Sequence, residues 1–261
     1  MRTKSLNIDY RDLEKVRQQY LPEMRLLLDN AYGTQNIRHV IFWNPVWREG
    51  DLEQVRHGDQ MQTPTSHFVS TVHIDQDIGA YESAHDLVDL FAKNHMHGND
   101  YNIETRHFRE AIQKGHRFAI CNFWKNTGSG PVQSAPLALF SVRYTEPLMA
   151  FPEMAPDPDR SRWYTYPQMT ADEVLLFCQY DRDVTRPSDM WHCALTEIGD
   201  ASVPRCSFDV RCLIVFDDIV PLEHDRFSAT RKRPNLTQKE SERFCTEQSK
   251  RRRSELGQTC E

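Results

Sequence analysis

Hydrophobic residues recur along this chain at two spacings, which predict two kinds of secondary structure. Between residues 8 and 32 the spacing is helical and predicts one amphipathic helix, or a pair divided near Pro22: Leu13, Val16, Tyr20, Leu21, Met24, Leu27 and Leu28. Short apolar runs, rich in β-branched and aromatic residues, then predict six or seven strands within residues 37–43, 68–78, 117–125, 137–144, 174–180, 190–195 and 205–216. Two further short helices are predicted at 83–94 and 104–114.

The order of these elements predicts a mainly β fold with flanking helices. No internal repeat or low-complexity linker divides the chain, and many short strands after a helical region are typical of a double-stranded β-helix, the jelly-roll or cupin-like architecture. We expect residues 1–225 to form a single jelly-roll domain whose helices cover the outer face of one sheet. Residues 47–64 predict a surface loop, residues 145–161 a loop over a pocket, and residues 226–261 a charged helical tail.

Charge and composition narrow the classes of function. The 261 residues carry a net charge of −6, which gives no overall attraction to nucleic acid or to an anionic membrane. No apolar stretch approaches the roughly 20 residues of a membrane span, and the seven cysteines lack CxxC spacing. We therefore expect a cytoplasmic protein with reduced thiols that binds neither nucleic acid nor membrane. Basic runs at 231–233 and 250–253 lie among glutamates, so the C-terminal helix is predicted to contact a second copy or a partner protein.

Two residues of one predicted strand, His73 and Asp75, are a candidate metal-binding pair. They lie two positions apart, so their side chains share a face of the strand. An imidazole and a carboxylate supply two ligands of a 2-His-1-carboxylate iron site. His192, 117 residues beyond Asp75 on another short strand, is the candidate third ligand. The alternative for His192 is a core histidine that is hydrogen-bonded to the backbone, and the pattern alone leaves both open.

A predicted strand that begins at Arg205 supplies a candidate anion site. Arg205 and Ser207 share one face of that strand, and Arg211 follows on the same face. A guanidinium in a largely buried strand is costly unless it pairs with an anion. A dicarboxylate cosubstrate would accept two hydrogen bonds from the guanidinium and a third from the serine hydroxyl. Arg205 is the first candidate for this anchor and Arg211 the second.

The order His-x-Asp, His, Arg-x-Ser resembles the iron(II)/2-oxoglutarate-dependent dioxygenases. Segments at 72–75, 122–125, 136–139, 162–167, 172–177 and 191–192 look more narrowly like the AsaB-like hydroxylase/desaturase family of secondary metabolism, which includes gibberellin desaturase-like and cephamycin methoxylation hydroxylase-like proteins. The resemblance covers roughly residues 38–217. Two positions depart from the family pattern: Lys125 stands where arginine usually follows Asn-x-Trp, and Cys206 stands where an acidic residue is expected.

The resemblance implies an oxidoreductase that holds Fe(II) through His73, Asp75 and His192 and binds 2-oxoglutarate through Arg205. With O2, such an enzyme oxidises an unactivated C–H bond of a small secondary metabolite by hydroxylation, desaturation or oxidative cyclisation. The substrate pocket is expected to include Trp124, Lys125, Trp163, Tyr164 and Tyr166. Two alternatives stay open: a jelly-roll metal oxygenase or isomerase that does not use 2-oxoglutarate, and a non-catalytic partner subunit of the same family.

Overall fold

The structure is a computed structural model that describes residues 1–4, 8–50, 68–69, 73, 101–142, 161–166, 168–188, 190–195 and 203–226. Several predicted features lie outside these residues. They are the helix at 83–94, most of the loop at 145–161, the metal-ligand candidate Asp75 and nearly all of the tail from 226 onward. These features remain predictions.

The N-terminal helical region has three parts. Helix α1 (Leu13–Lys15) begins at Asp12, whose carboxylate accepts hydrogen bonds from the N–H groups of the first turn. A π-helical turn (Val16–Tyr20) leads into helix α2 (Leu21–Tyr32), which ends at Gly33. Gly33 adopts φ +85°, a conformation that glycine reaches without steric cost. The predicted division near Pro22 is the π turn, and Pro22 follows it as the second residue of α2, where proline supplies no N–H to the preceding turn.

Within the described residues, seven strands form two antiparallel sheets. The strands are β1 (Ile37–Gly50), β2 (His116–Asn126), β3 (Leu137–Val142), β4 (Ser161–Thr165), β5 (Val174–Asp181), β6 (Trp191–Ala194) and β7 (Arg205–Ile219). The larger sheet has the order β1-β7-β2-β5 and the smaller one β4-β3-β6. A 3₁₀ turn (Thr34–Asn36) precedes β1, and helix α3 (Tyr101–Gln113) precedes β2. The prediction of a mainly β fold with flanking helices is confirmed.

The β1 strand is longer than the sequence indicates. We expected a strand at 37–43 and a surface loop from 47, but β1 continues to Gly50 and pairs with β7 as far as Arg205. A register shift between Trp43 and Val46 lets the strand pass the turn-like Asn44, whose φ is +49°. The polar residues of this extension follow the strand because β7 supplies their backbone partners.

The larger sheet is covered on one face by the N-terminal helices. Side chains of β7 that point to this face pack against Tyr20, Met24 and Leu28; they are Phe208, Val210, Cys212, Ile214 and Phe216. We call this the helix-covered face. Burying a large apolar side chain contributes about 1.5–3 kcal/mol, so this layer accounts for much of the stability of the larger sheet.

The opposite face of the larger sheet changes character along its length. Towards α3 it is apolar, with Phe108 packed near Phe118 and Leu213. Towards the start of β7 it faces the smaller sheet, and Trp124 packs there with Phe177. We call this second part the pocket face. The strand period of two residues therefore separates a sealed layer from a layer that carries polar groups.

Candidate active site

Two predicted metal ligands, His73 and His192, lie side by side on paired backbone segments. His192 lies in β6, and His73 forms an isolated antiparallel bridge to it. Each residue donates its backbone N–H to the carbonyl of the other at 3.0 Å. The two imidazole ring centroids are 4.3 Å apart. Residues paired in this way hold their side chains at short, fixed separation, as two ligands of one metal ion require.

The third predicted ligand, Asp75, lies outside the described residues. Among the residues that the structure does describe, no group of three or more His, Cys, Asp or Glu side chains is arranged to hold a metal ion. The two paired histidines are compatible with the imidazole positions of a 2-His-1-carboxylate site, and Asp75 remains a predicted ligand.

Arg205 is buried at the start of β7, with only 5% of its surface exposed. It donates a hydrogen bond from Nη1 to the carbonyl of Ala135 at 2.6 Å and another from Nε to Ser207 Oγ at 3.3 Å. Its guanidinium carbon lies 5.2 Å from the ring centroid of Phe68 and 5.1 Å from that of Trp124. The two rings and the two hydrogen bonds hold the cation in one place.

The charge of Arg205 is not neutralised by an ion pair within the described part of the chain. Burial, together with the nearby Arg48, lowers the pKa of Arg205 to about 9, although Asp209 acts in the opposite direction. Asp209 itself forms an ion pair with Arg48, with an Nε–Oδ2 distance of 2.8 Å. A buried cation in this state is suited to receive an anion from outside the protein.

A pocket with ≈ 380 Å³ of empty space, part of it open to solvent, connects these groups. The predicted residues His73, His192, Arg205 and Trp124 all line it. Three polar residues that were not predicted line it too: Arg48, Asn122 and Asp209. The remaining wall is Val69, Leu137, Phe177, Cys193 and Ala194. Polar and ionisable groups that converge against an apolar wall are typical of a small-molecule site.

The prediction that Lys125 lines the pocket is wrong. Lys125 follows Trp124 on β2, so the two side chains point to opposite faces of the sheet. The Lys125 ammonium lies over the rings of Tyr10 and Tyr20, at 5.2 Å and 5.8 Å from their centroids, beneath the N-terminal helices. Burial lowers the pKa of this ammonium to about 8. Lys125 is therefore part of the helix-covered face.

Three aromatic residues that were predicted to line the pocket lie on β4 and just beyond it. They are not among the described residues that line this pocket. Trp163, Tyr164 and Tyr166 are 42%, 53% and 48% exposed. β4 is an edge strand of the smaller sheet, and the Tyr166 hydroxyl donates a hydrogen bond to Glu173 at 2.7 Å. Aromatic residues on an edge strand can face either solvent or a pocket. These three face solvent.

The remaining two candidates of β7 occupy different positions. Ser207 is fully buried and accepts the hydrogen bond from Arg205, as its place on the same strand face predicts. Arg211 lies farther along the strand, between Trp43 of β1 and Asn122 of β2 in the sheet register. It is not among the described residues that line the pocket. The arrangement favours Arg205 over Arg211 as the anion anchor.

The polar residues that the sequence did not indicate have different explanations. Asp209 shares the strand face of Arg205, so the period of two was a usable signal. Arg48 was not predicted as a site residue because residues 47–64 were interpreted as a surface loop. Asn122 lies two positions before Trp124 on β2 and shares its face, which the alternation also predicts.

Comparison with known proteins agrees with this fold. The structure resembles the iron and alpha-ketoglutarate-dependent endoperoxidase NvfI, with a TM-score of 0.54 and 21% identity over 80% of this chain and 76% of that protein. A second conformation of NvfI gives a TM-score of 0.53, with 21% identity over 80% of this chain and 74% of that protein. The fold is thus the jelly roll of the iron- and 2-oxoglutarate-dependent oxygenases, alpha-ketoglutarate being another name for 2-oxoglutarate.

The sequence comparisons define the family. The chain belongs to the family described as YDMC, oxidoreductase/YMDC permease-like domain, whose model matches residues 1–216. It is also 26% identical over 234 residues to the alpha-ketoglutarate-dependent dioxygenase phiK of Fungal sp. (strain ATCC 74256). The matched region covers 83% of this chain and 76% of that protein. Among the residues that the structure describes, no helix is both long and apolar enough to cross a membrane.

Proposed function

We propose that this protein is an iron(II)- and 2-oxoglutarate-dependent dioxygenase that oxidises a C–H bond of a small secondary metabolite. The observation that carries the proposal is a buried arginine without a carboxylate partner among the described residues, in one pocket with two paired histidines. The relatives phiK and NvfI, both named for dependence on alpha-ketoglutarate, support the same reaction class.

In this proposal His73, Asp75 and His192 hold the iron. When bound, Fe(II) supplies the activation of O2 that is coupled to decarboxylation of 2-oxoglutarate. The backbone pairing of His73 with His192 fixes two of the ligands, so little reorganisation is needed when metal enters. The apolar wall that includes Leu137 and Phe177 excludes water from the reacting groups.

Arg205 binds the carboxylate of 2-oxoglutarate that is remote from the keto group. A guanidinium can donate two parallel hydrogen bonds to such a carboxylate. Ser207 orients the guanidinium from one side, and Phe68 and Trp124 flank it. The pairing also relieves the unfavourable burial of the cation, so the site binds a dianion better than a neutral molecule.

We further place the chain in the AsaB-like hydroxylase/desaturase group on the segments named above. Hydroxylation, desaturation and oxidative cyclisation are all open to this group, and the pocket does not select among them. The dependence on 2-oxoglutarate is favoured over a jelly-roll oxygenase or isomerase without it, because Arg205 has no carboxylate partner among the described residues.

The direct test is anaerobic titration of the iron-loaded protein with 2-oxoglutarate. Chelation by the keto acid should produce a weak visible charge-transfer band, and its absence from folded, iron-loaded protein would contradict the proposal. His192→Ala should abolish stoichiometric iron binding. His39→Ala, which alters a half-buried histidine of β1 that contacts His107 rather than the pocket, should retain it. Stoichiometric iron in His192→Ala would make His192 a core histidine instead of a ligand.

A further inference from the structure

The ion pair between Arg48 and Asp209 lies in the wall of the same pocket as Arg205. Arg48 belongs to β1 and Asp209 to β7, and the register sets Arg48 opposite Ser207 and Asp209 opposite Val46. The pair is thus diagonal across two neighbouring strands, and it is largely shielded, with 15% and 10% of the two side chains exposed. Ion pairs in such positions are screened little by salt.

Asp209 is close enough to influence the anion site. It lies four residues after Arg205 on the same face of β7, about 13 Å along the strand at the usual rise. Both side chains line the same pocket, and the carboxylate of Asp209 stabilises the charge of Arg205. Without the cation of Arg48, Asp209 would offset part of the positive charge of the site and repel an entering carboxylate.

Arg48 prevents this offset. With Arg48 paired to Asp209, the two charges cancel and Arg205 supplies the remaining positive charge of these three side chains. We propose that Arg48 is a positioning residue: it neutralises Asp209 and so keeps Arg205 available to the remote carboxylate of the cosubstrate. The inference rests on the proposed function and adds a role for a pair that lies beside the anchor.

The proposal predicts different effects on carboxylate binding when Arg48 and when Asp209 is replaced. Arg48→Gln leaves the Asp209 carboxylate without its neutralising cation and should weaken carboxylate binding about ten- to hundredfold. Arg48→Lys keeps a positive charge and should recover most of the affinity. Asp209→Asn removes the repelling charge, so it should bind at least as tightly as the unaltered protein. The double variant Arg48→Gln/Asp209→Asn should return to within about threefold of the unaltered protein.

The measurement is calorimetric titration of the metal-free, full-length protein with glutarate, which presents two carboxylates but no keto group. The matched control is Arg38→Gln, because Arg38 and Asp217 form a 2.8 Å ion pair across the same two strands at the exposed end. Arg38→Gln should bind glutarate like the unaltered protein. Thermal melting of each variant verifies folding, and Arg48→Met, which also removes the charge, replaces Arg48→Gln if that variant does not fold.

The outcomes separate this inference from the proposed function. If glutarate binding depends on Arg205 but is unaffected by Arg48→Gln, the role of Arg48 is overturned and the dioxygenase proposal stands. If Asp209→Asn weakens binding as much as Arg48→Gln, the pair only holds the pocket wall together, and the inference again fails. If the unaltered protein binds neither glutarate nor, with Fe(II), 2-oxoglutarate, the proposed function fails first.

Discussion

Two buried cations lie on opposite faces of the larger sheet and have similar surroundings. Lys125 lies over the rings of Tyr10 and Tyr20 on the helix-covered face, and Arg205 lies over the rings of Phe68 and Trp124 on the pocket face. Burial lowers the pKa of both, to about 8 for Lys125 and about 9 for Arg205. Burial and flanking rings therefore do not by themselves mark a ligand site.

The two cations differ in what can reach them. Arg205 lines a pocket, so an external anion can pair with it. Lys125 is sealed beneath the N-terminal helices, and only 1% of its surface is exposed. The difference follows from the alternation of a strand, because Trp124 and Lys125 are consecutive and one must point away from the other. We accordingly expect Arg205 to be a functional group and Lys125 a structural group.

The largest expected effect separates the two cations by ligand binding. Arg205→Ala should weaken 2-oxoglutarate binding to the iron-loaded protein about 100- to 1000-fold, because a charge-assisted bidentate pair in a shielded site is lost. Lys125→Met and Arg211→Ala should each change the affinity less than about threefold. The measurement is the amplitude of the charge-transfer band against 2-oxoglutarate concentration. A large loss in Arg211→Ala with little loss in Arg205→Ala would move the anchor to Arg211.

A third buried cation tests how much pairing with an internal carboxylate contributes to the free energy of unfolding. Arg182 binds both carboxylate oxygens of Asp225, at 3.1 Å and 2.8 Å, and also donates to the carbonyls of Ile112 and His116. Asp225→Asn should lower the free energy of unfolding by about 3–5 kcal/mol, because the buried guanidinium loses its counter-charge. Urea denaturation measures the loss. The exposed pair offers the control: Asp217→Asn should cost less than about 1 kcal/mol.

Replacing Lys125 should have the opposite sign. Lys125→Met removes a cation that is desolvated in the fold, so we expect the free energy of unfolding at pH 7 to rise by about 1–3 kcal/mol. The exposed Lys114→Met is the control and should change it by less than about 0.5 kcal/mol. A destabilised Lys125→Met protein would mean that contacts of the ammonium outweigh its desolvation.

The pH dependence of this difference identifies its cause. The folded pKa of Lys125, about 8, lies below its ordinary value of 10.5. Below pH 8 both states are protonated and the unfavourable burial of the charge is fully present. Between pH 8 and 10.5 the folded state releases its proton first, so the unfolded state binds more protons and the unaltered protein gains stability as pH rises. The advantage of Lys125→Met should therefore shrink across this interval, as urea denaturation at several pH values would measure.

Much of this arrangement was predictable from alternation, and the failures have physical reasons. The pattern placed Arg205 and Ser207 on one face, and it placed His192 on a strand of its own. The prediction for Lys125 was wrong because the motif was applied to consecutive residues of one strand, and the side chains of consecutive residues point to opposite faces. The β1 extension could not be predicted because its polar residues follow the strand only when β7 is beside them, and such pairing is a long-range property.

The smallest expected effects concern the rings themselves. A ring within about 6 Å of a cation contributes roughly 0.5–2 kcal/mol. Phe68→Leu removes one ring from Arg205 and should weaken 2-oxoglutarate binding about two- to fivefold, with little change in stability, because Phe68 belongs to a small cluster with Ala135 and Ala194. Tyr10→Leu removes one ring from Lys125 and should lower the free energy of unfolding by about 1–2 kcal/mol while leaving the affinity unchanged. Titration with 2-oxoglutarate measures the ligand affinity of both variants, and urea denaturation measures their free energies of unfolding. If Tyr10→Leu weakens ligand binding as much as Phe68→Leu does, the two faces of the sheet are energetically coupled, and the separation of structural from functional cations does not hold.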